Sequence, residues 1–331
     1  MAATAREKLV APRFRNNHRP SPAAGGFWRW QWERWRQGLP REPAEGYRFP
    51  VATPDPARLA RRDRATLTWI GHSTLLLQLD GLNILTDPQF SERASPLSFL
   101  GPRRRVAPVP PLQQLPAIDL VLISHNHYDH LDRRSVRQLA AQPGGPPHFL
   151  VPRGVARWFQ RQGITAVEEF GWWEETRFRG LRIHCLPVQH WSARTSFDRN
   201  ETLWCGWRLE GADLSFLFAG DTGYSAHFRA IRERLGPVDL AALPIGHYEP
   251  RWFMGPSHVD PAEAIRIQGD LEARLAVAIH WGTFPLTDEP LDEPPQRLQR
   301  ELAAAGIAPS RFAVLVRGET REVDELLRAA G

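Results

Sequence analysis

The apolar run Ile118–Ser124 breaks directly into His125-Asn126-His127-Tyr128-Asp129-His130. Three imidazoles and one carboxylate within six positions, at the end of a strand, constrain this chain more than any other stretch of it. Imidazole and carboxylate are the usual ligands of zinc and similar ions. His125 and His127 are separated by one residue and can turn to the same side of an extended segment. Asp129 and His130 then follow on a tight turn. One ion cannot easily use all four donors from so short a stretch, and the spacing suggests two metals side by side.

Matching donors recur at other strand ends. His190 follows the strand Leu181–Val188, Asp221 follows Leu214–Ala219 in Gly220-Asp221-Thr222-Gly223, and His280 follows Ala276–Ile279. Sites in α/β proteins form at such carboxyl ends. With the first cluster they make seven ligands, enough for two ions with positions left for water and substrate. Further strands are expected at Thr66–Ile70, Thr74–Leu79, Leu82–Thr86, Phe149–Val151, Leu203–Leu209 and Leu240–Leu243. Helices are expected at Arg133–Ala141, Pro152–Gln162 and Pro261–Leu275, the last opened by Asp260 as N-cap and Pro261 at N1. Strands and helices alternate without a linker, which reads as one α/β domain over residues 47–331.

Ahead of it, residues 1–46 read as an extension: a mobile basic tail over 1–26, then a helix over Phe27–Arg36 carrying Trp28, Trp32 and Trp35 on one face. That face is expected to dock on the chain's own domain. The other reading is a Trp/Arg helix lying in an anionic membrane interface.

The order His125-x-His127-x-Asp129-His130, His190, Asp221, His280 resembles the metallo-β-lactamase fold superfamily. Trp69-Ile70-Gly71-His72-Ser73-Thr74, Thr86-Asp87-Pro88, Gln189-His190-Trp191-Ser192-Ala193-Arg194, Tyr248–Met254, His258-Val259-Asp260-Pro261 and Ile279–Phe284 narrow it. These strings are similar to those of the N-acyl-phosphatidylethanolamine-hydrolysing phospholipase D family and its bacterial relatives. The resemblance covers roughly residues 45–315.

It implies an αββα sandwich with a dinuclear zinc site at one edge of the sheets. His125, His127 and His190 would hold one zinc, and Asp129, His130 and His280 the other, with Asp221 bridging. Asp87 would orient the ligand loop by hydrogen bonding, and His72 would do likewise or serve the strand end. Asp129 and His258 are the catalytic candidates, His258 contributing the proton that a leaving alkoxide needs. A water shared by two zinc ions ionises near a pH of about 7, so hydroxide is available for attack on phosphorus. Tyr248 and Arg194 are candidate substrate contacts. His247 departs from the family pattern, which has a small residue there, and would narrow the channel or add a polar contact.

Composition narrows the alternatives. Lys8 is the single lysine among 42 basic residues, and the formal net charge is +5. The arginines are spread along the chain, with no stripe and no appended nucleic-acid module, so no nucleic-acid partner is expected. Arg103-Arg104-Arg105 reads as a solvated loop. Cys185 and Cys205 sit in apolar runs, and no secretory signal or membrane span is evident. A cytoplasmic protein follows, with peripheral contact at the inner membrane face and a homodimer as further expectations. The expected activity is zinc-dependent, phospholipase D-type hydrolysis of an N-acyl phosphatidylethanolamine or related phospholipid. The alternative is another hydrolase on the same scaffold, a lactonase or a small phosphoester or ester hydrolase.

Overall fold

The computed structural model describes residues 13–18, 24–40 and 42–331. Its strands are β1 (Thr66–Gly71), β2 (Thr74–Leu79), β3 (Leu82–Thr86), β4 (Leu120–Leu122), β5 (His148–Pro152), β6 (Val167–Phe170), β7 (Glu175–Phe178), β8 (Leu181–Leu186), β9 (Gly206–Glu210), β10 (Ser215–Phe218), β11 (Leu240–Pro244), β12 (Leu275–Ile279), β13 (Phe312–Ala313) and β14 (Thr320–Glu322). Among the described residues they form two seven-stranded sheets, β14-β1-β2-β3-β4-β5-β6 and β13-β12-β11-β10-β9-β8-β7.

Both sheets are mixed. From β3 to β6 and from β10 to β13 neighbouring strands run parallel. Parallel strands are covered on both faces, so their sequences are continuous apolar runs rather than alternating ones. Leu240-Ala241-Ala242-Leu243 of β11 and Leu275-Ala276-Val277-Ala278-Ile279 of β12 are of this kind, and every one of these residues is buried.

The helices are α1 (Ala24–Gln37), α2 (Pro56–Ala60), α3 (Arg133–Ala140), α4 (Ala156–Gln160), α5 (His227–Leu235), α6 (Arg251–Met254), α7 (Pro261–Asp270), α8 (Glu293–Ala304) and α9 (Val323–Ala330). Val136 and Leu139 of α3 and Phe159 of α4 pack with Leu85, Val121 and Phe149 on the outer face of the first sheet. A larger core fills the space between the sheets and continues to Phe228, Ile267, Leu298 and Leu327 on the helices of the second sheet. The layers are therefore αββα, as the resemblance implies.

Two expected helices are shorter than their patterns. Pro152 ends β5, and the helix begins only at Ala156. The Asp260 capping box opens α7 as expected, but the chain turns at Leu271–Arg274 before entering β12. A helix continued to Leu275 would remove the first residue that β12 pairs with β11, Leu275 opposite Leu240.

Among the described residues the N-terminal extension meets the domain through residues 13–18, through α1 and through Glu42, which pairs with Arg105. The expected mobile tail, residues 1–26, falls largely outside the described residues. Of its described residues, 24–26 already belong to α1, and 13–18 are tied down. Phe14 N donates to Asn200 O at 2.8 Å, and Asn16 Nδ2 donates to His190 O at 2.8 Å. The α1 helix docks as expected, but not by the expected face. Trp30 is the buried one: its ring stacks on Phe253 at 5.3 Å and its Nε1 donates to Asp288 at 2.7 Å. Arg34 pairs with the same carboxylate at 3.0 Å. Trp28, Trp32 and Trp35 remain 74%, 53% and 81% exposed.

Candidate metal centre

The first sheet delivers four donors and the second three. The residues after β4 carry His125, His127, Asp129 and His130. His190 follows β8, Asp221 follows β10 and His280 follows β12. Gly220, at φ +60, lets the chain leave β10 directly against the turn after β4. A Cβ there would lie 2.5 Å from Ser124 Cβ.

The donors fall into two groups. His127 Nδ1 lies 2.8 Å from His125 Nε2 and 3.3 Å from His190 Nε2. In the second group, His280 Nε2 is 3.1 Å from His130 Nε2, and both are 3.4 Å from Asp129 Oδ2. Asp221 reaches both groups. Its Oδ2 is 3.7 Å from His190 Nε2 and 3.2 Å from His130 Nε2, and its Oδ1 is 3.0 Å from His280 Nε2.

Hydrogen bonds behind the donors fix which ring nitrogens point inward. His130 Nδ1 faces Asp87 Oδ2 at 2.7 Å. Asp87 also accepts from Ser124 N and Ser124 Oγ. That hydroxyl donates its hydrogen bond to Asp87, so it accepts from His125 Nδ1 at 2.9 Å. His190 Nδ1 donates to Ser257 O at 2.9 Å. In all three rings it is Nε2 that is left facing the centre, the nitrogen through which each could ligate a metal.

The charges suit the same purpose. Burial holds His125 well below its ordinary value and takes His127 and His190 down to about 3, so these rings are neutral. Burial would raise Asp129 and Asp221, but the neighbouring histidines, His130 foremost and then His280, together outweigh it, and both are held well below the carboxylate range. Burial also opposes a charge on His130 and His280, yet Asp221 and Asp129 raise both, so these two rings hold protons that a bound cation would displace. Deprotonated ligands are what a divalent ion requires. Lone pairs of neutral imidazoles crowded within 3.3 Å and ionised carboxylates beside them fit divalent cations.

Other sequence candidates take varied places. His72 is fully buried at the β1–β2 turn, with Nε2 3.1 Å from Asp129 Oδ2. His258 stacks on His280 with centroids 5.7 Å apart and lies 3.9 Å from Asp221. His247 sits at φ +64, donates from Nε2 to Phe284 O at 2.9 Å, and places Nδ1 3.0 Å from His280 Nδ1. Tyr248 is buried beneath the Arg297 guanidinium and does not line the cavity above the donors. The triple arginine is not uniformly solvated: Arg103 pairs with Glu92 and Arg105 with Glu42, but Arg104 is half-buried and bonded to Gln89. Ser257 and Asp288 went unmarked in the sequence, Ser257 standing just before the string His258–Pro261, and Trp191 was marked only as part of the string Gln189–Arg194.

The donors form the floor of a cavity of about 740 Å³. His127, Asp129, Asp221, His247, His258 and His280 face it from below. Phe27, Trp30, Trp191, Phe253, Met254 and Leu286 give it an apolar wall, and Arg194 and Arg199 line it as well. Two layers of helices around paired sheets, with clustered His and Asp donors at the strand ends, define a metal-dependent hydrolase.

Comparison with known proteins agrees. A family model described as a beta-lactamase superfamily domain matches residues 82–281. N-acyl-phosphatidylethanolamine-hydrolyzing phospholipase D 1 of Caenorhabditis elegans is 40% identical over 270 residues, covering 78% of this chain and 76% of the relative. The mitochondrial protein of the same activity name from Saccharomyces cerevisiae is 38% identical over 239 residues, 70% of this chain and 50% of its own. Among solved structures, the metallo hydrolase Igni18 of Ignicoccus hospitalis shares the fold with a TM-score of 0.59 at 24% identity, covering 78% of this chain and 97% of that one. The chain belongs to the metallo-β-lactamase superfamily and, within it, to the N-acyl-phosphatidylethanolamine-hydrolysing phospholipase D-like family.

Proposed function

We propose that the chain is a zinc-dependent phosphodiesterase that hydrolyses an N-acyl phosphatidylethanolamine or a closely related phospholipid. The observation that carries this reading is the double group of donors on the floor of a cavity whose wall is apolar. His125, His127 and His190 would hold one ion and Asp129, His130 and His280 the other, with Asp221 shared. Two zinc ions bound there supply a water-derived nucleophile at neutral pH and neutralise the oxygens of a phosphodiester.

The protein's own groups do the rest. Asp129 is held ionised and lines the cavity, which supports it as the group that takes a proton from the attacking water. His258 also lines the cavity, and burial takes it down to about 3. It is therefore neutral and serves the leaving alkoxide oxygen as an N–H donor, not as a cationic acid. The apolar wall from α1 and α6 accommodates acyl chains and keeps water from them.

The mouth suits a lipid surface. Phe27 lines the cavity and is half exposed, and Phe197, beside the lining residues Thr195 and Ser196, is 84% exposed. The outward tryptophans of α1 lie among Arg29 and Arg36, a pairing that favours an anionic interface. Among the described residues no helix is long and apolar enough to cross a membrane. Contact would be peripheral.

The test is metal analysis joined to a substrate panel. About two zinc ions per chain are expected, with hydrolysis of the N-acyl phospholipid preferred over a plain phospholipid, a cyclic nucleotide and a lactone. His127→Ala should abolish turnover. Full activity after chelation would sink the metal reading, and preference for the lactone would replace the lipid one.

A further inference from the structure

Two loops bring the first group of donors together. One, residues 124–131, carries His125 and His127, and the other, residues 190–200, carries His190 and part of the cavity wall. No strand ladder joins them, because β4 and β8 belong to different sheets.

Arg194 spans the gap. Its Nη1 donates to Asn126 O and to Leu131 O, both at 2.8 Å. Those carbonyls bracket His127–His130, so one guanidinium nitrogen holds both ends of the donor turn. The guanidinium carbon lies 3.9 Å from the Tyr128 ring centroid, over the middle of the same turn. Tyr128 answers by donating its hydroxyl to Arg194 O at 3.0 Å. The Arg194 backbone is fixed in turn, its N–H donating to Asp198 Oδ1 at 3.0 Å.

We propose that Arg194 and Tyr128 form a reciprocal latch that sets the register of the two donor loops, making Arg194 a positioning residue for the metal centre. The inference rests on the reading of His125, His127 and His190 as metal ligands. Recognition of a phosphate is the familiar use of an arginine facing a cavity. Here the hydrogen bonds of Nη1 go to backbone carbonyls, and the plane of the group is given to an aromatic face. Lysine offers a compact point charge without that plane, so it does not reproduce the latch.

The experiment uses the full chain and three variants, Arg194→Lys, Arg194→Met and Tyr128→Phe. Zinc affinity is measured by competition with a chelator of known strength, and the visible absorption of the cobalt-loaded protein reports ligand geometry. Both Arg194 variants are expected to lose about 10- to 100-fold in zinc affinity and to alter the cobalt spectrum. Tyr128→Phe keeps the ring and loses one hydrogen bond, so about a two- to tenfold loss is expected. Unchanged zinc affinity in both Arg194 variants overturns the latch, and a rise in KM for the phosphodiester alongside it would make Arg194 a substrate contact instead. If neither Arg194 variant folds, Tyr128→Phe decides, and wild-type zinc affinity there overturns the proposal. An unsubstituted chain that binds no zinc overturns both the latch and the reading beneath it. Zinc bound normally by the unsubstituted chain and by all three variants overturns the latch alone.

Discussion

Each of the seven donors is the first polar residue after an apolar strand or sits in the turn that follows one, and for that reason each was legible in the sequence. A side chain that ends a buried run must emerge at the sheet's end, wherever the sheet lies. The partners behind the donors were harder to read. Asp87 was anticipated from its motif, but the Ser257 carbonyl that fixes His190 stands 67 positions away, and no local pattern marks it. His247 was expected to affect the channel. It lines the cavity, and it also packs its ring edge against His280. Asp87→Asn tests the orienting network. It replaces the acceptor of His130 and Ser124 with a group that is only half acceptor, and zinc affinity should fall about 10- to 100-fold. Isothermal titration would check this, and an unchanged affinity would mean that His130 needs no such partner.

The elements were recovered where burial was complete and missed where it was not. The strand β11 is apolar throughout, whereas β6 and β7 end their sheets with the patterns Val-Glu-Glu-Phe and Glu-Thr-Arg-Phe, which carry exposed charge. Charged edges protect a sheet from pairing with other chains, and they erase the sequence signal at the same time. The α1 helix shows a different failure. Periodicity correctly grouped Trp28, Trp32 and Trp35, but the docked residue is Trp30, selected by an aromatic ring and a carboxylate more than 220 positions away. Trp30→Ala removes both contacts. Because α1 touches mainly α6 and its neighbours, the helix should undock locally, with faster tryptic cleavage at Arg29 and Arg34 and little change in the melting of the domain. Undiminished protection would show that the Arg34–Asp288 pair suffices. Replacing Trp28, Trp32 and Trp35 with serine should leave α1 docked and weaken flotation with anionic vesicles. Equal flotation would leave those side chains without a role at membranes.

At the scale of the whole molecule, charge ties the second sheet together as well as the core does. Asp239, just before β11, accepts from Ser215 N at 2.9 Å and Ser215 Oγ at 2.8 Å at the head of β10, and from Arg274 beside β12. Burial would raise its pKa, but the Ser215 bonds outweigh it, and the group is held below its ordinary value of 3.8. The stability it contributes is therefore present above that ordinary value and is lost as the pH falls through the lowered one. Thermal midpoints of the unsubstituted chain and Asp239→Asn should differ at neutral pH and converge in acid. A gap that stays constant with pH would assign the effect to packing.

The division of the donors between the sheets has one more consequence. Neither half of the chain owns a complete site: residues before β5 supply four donors, and residues after β7 supply the other three. A half-formed molecule with only one sheet in place would hold only part of the donor set, so a bound ion would act as a rivet driven fully home only when both plates are aligned. Zinc would then count finished molecules, adding about 2.7 kcal/mol to the native state at a concentration a hundredfold above its dissociation constant. Refolding followed by zinc uptake and by tryptophan fluorescence should show uptake trailing the fluorescence change, never leading it.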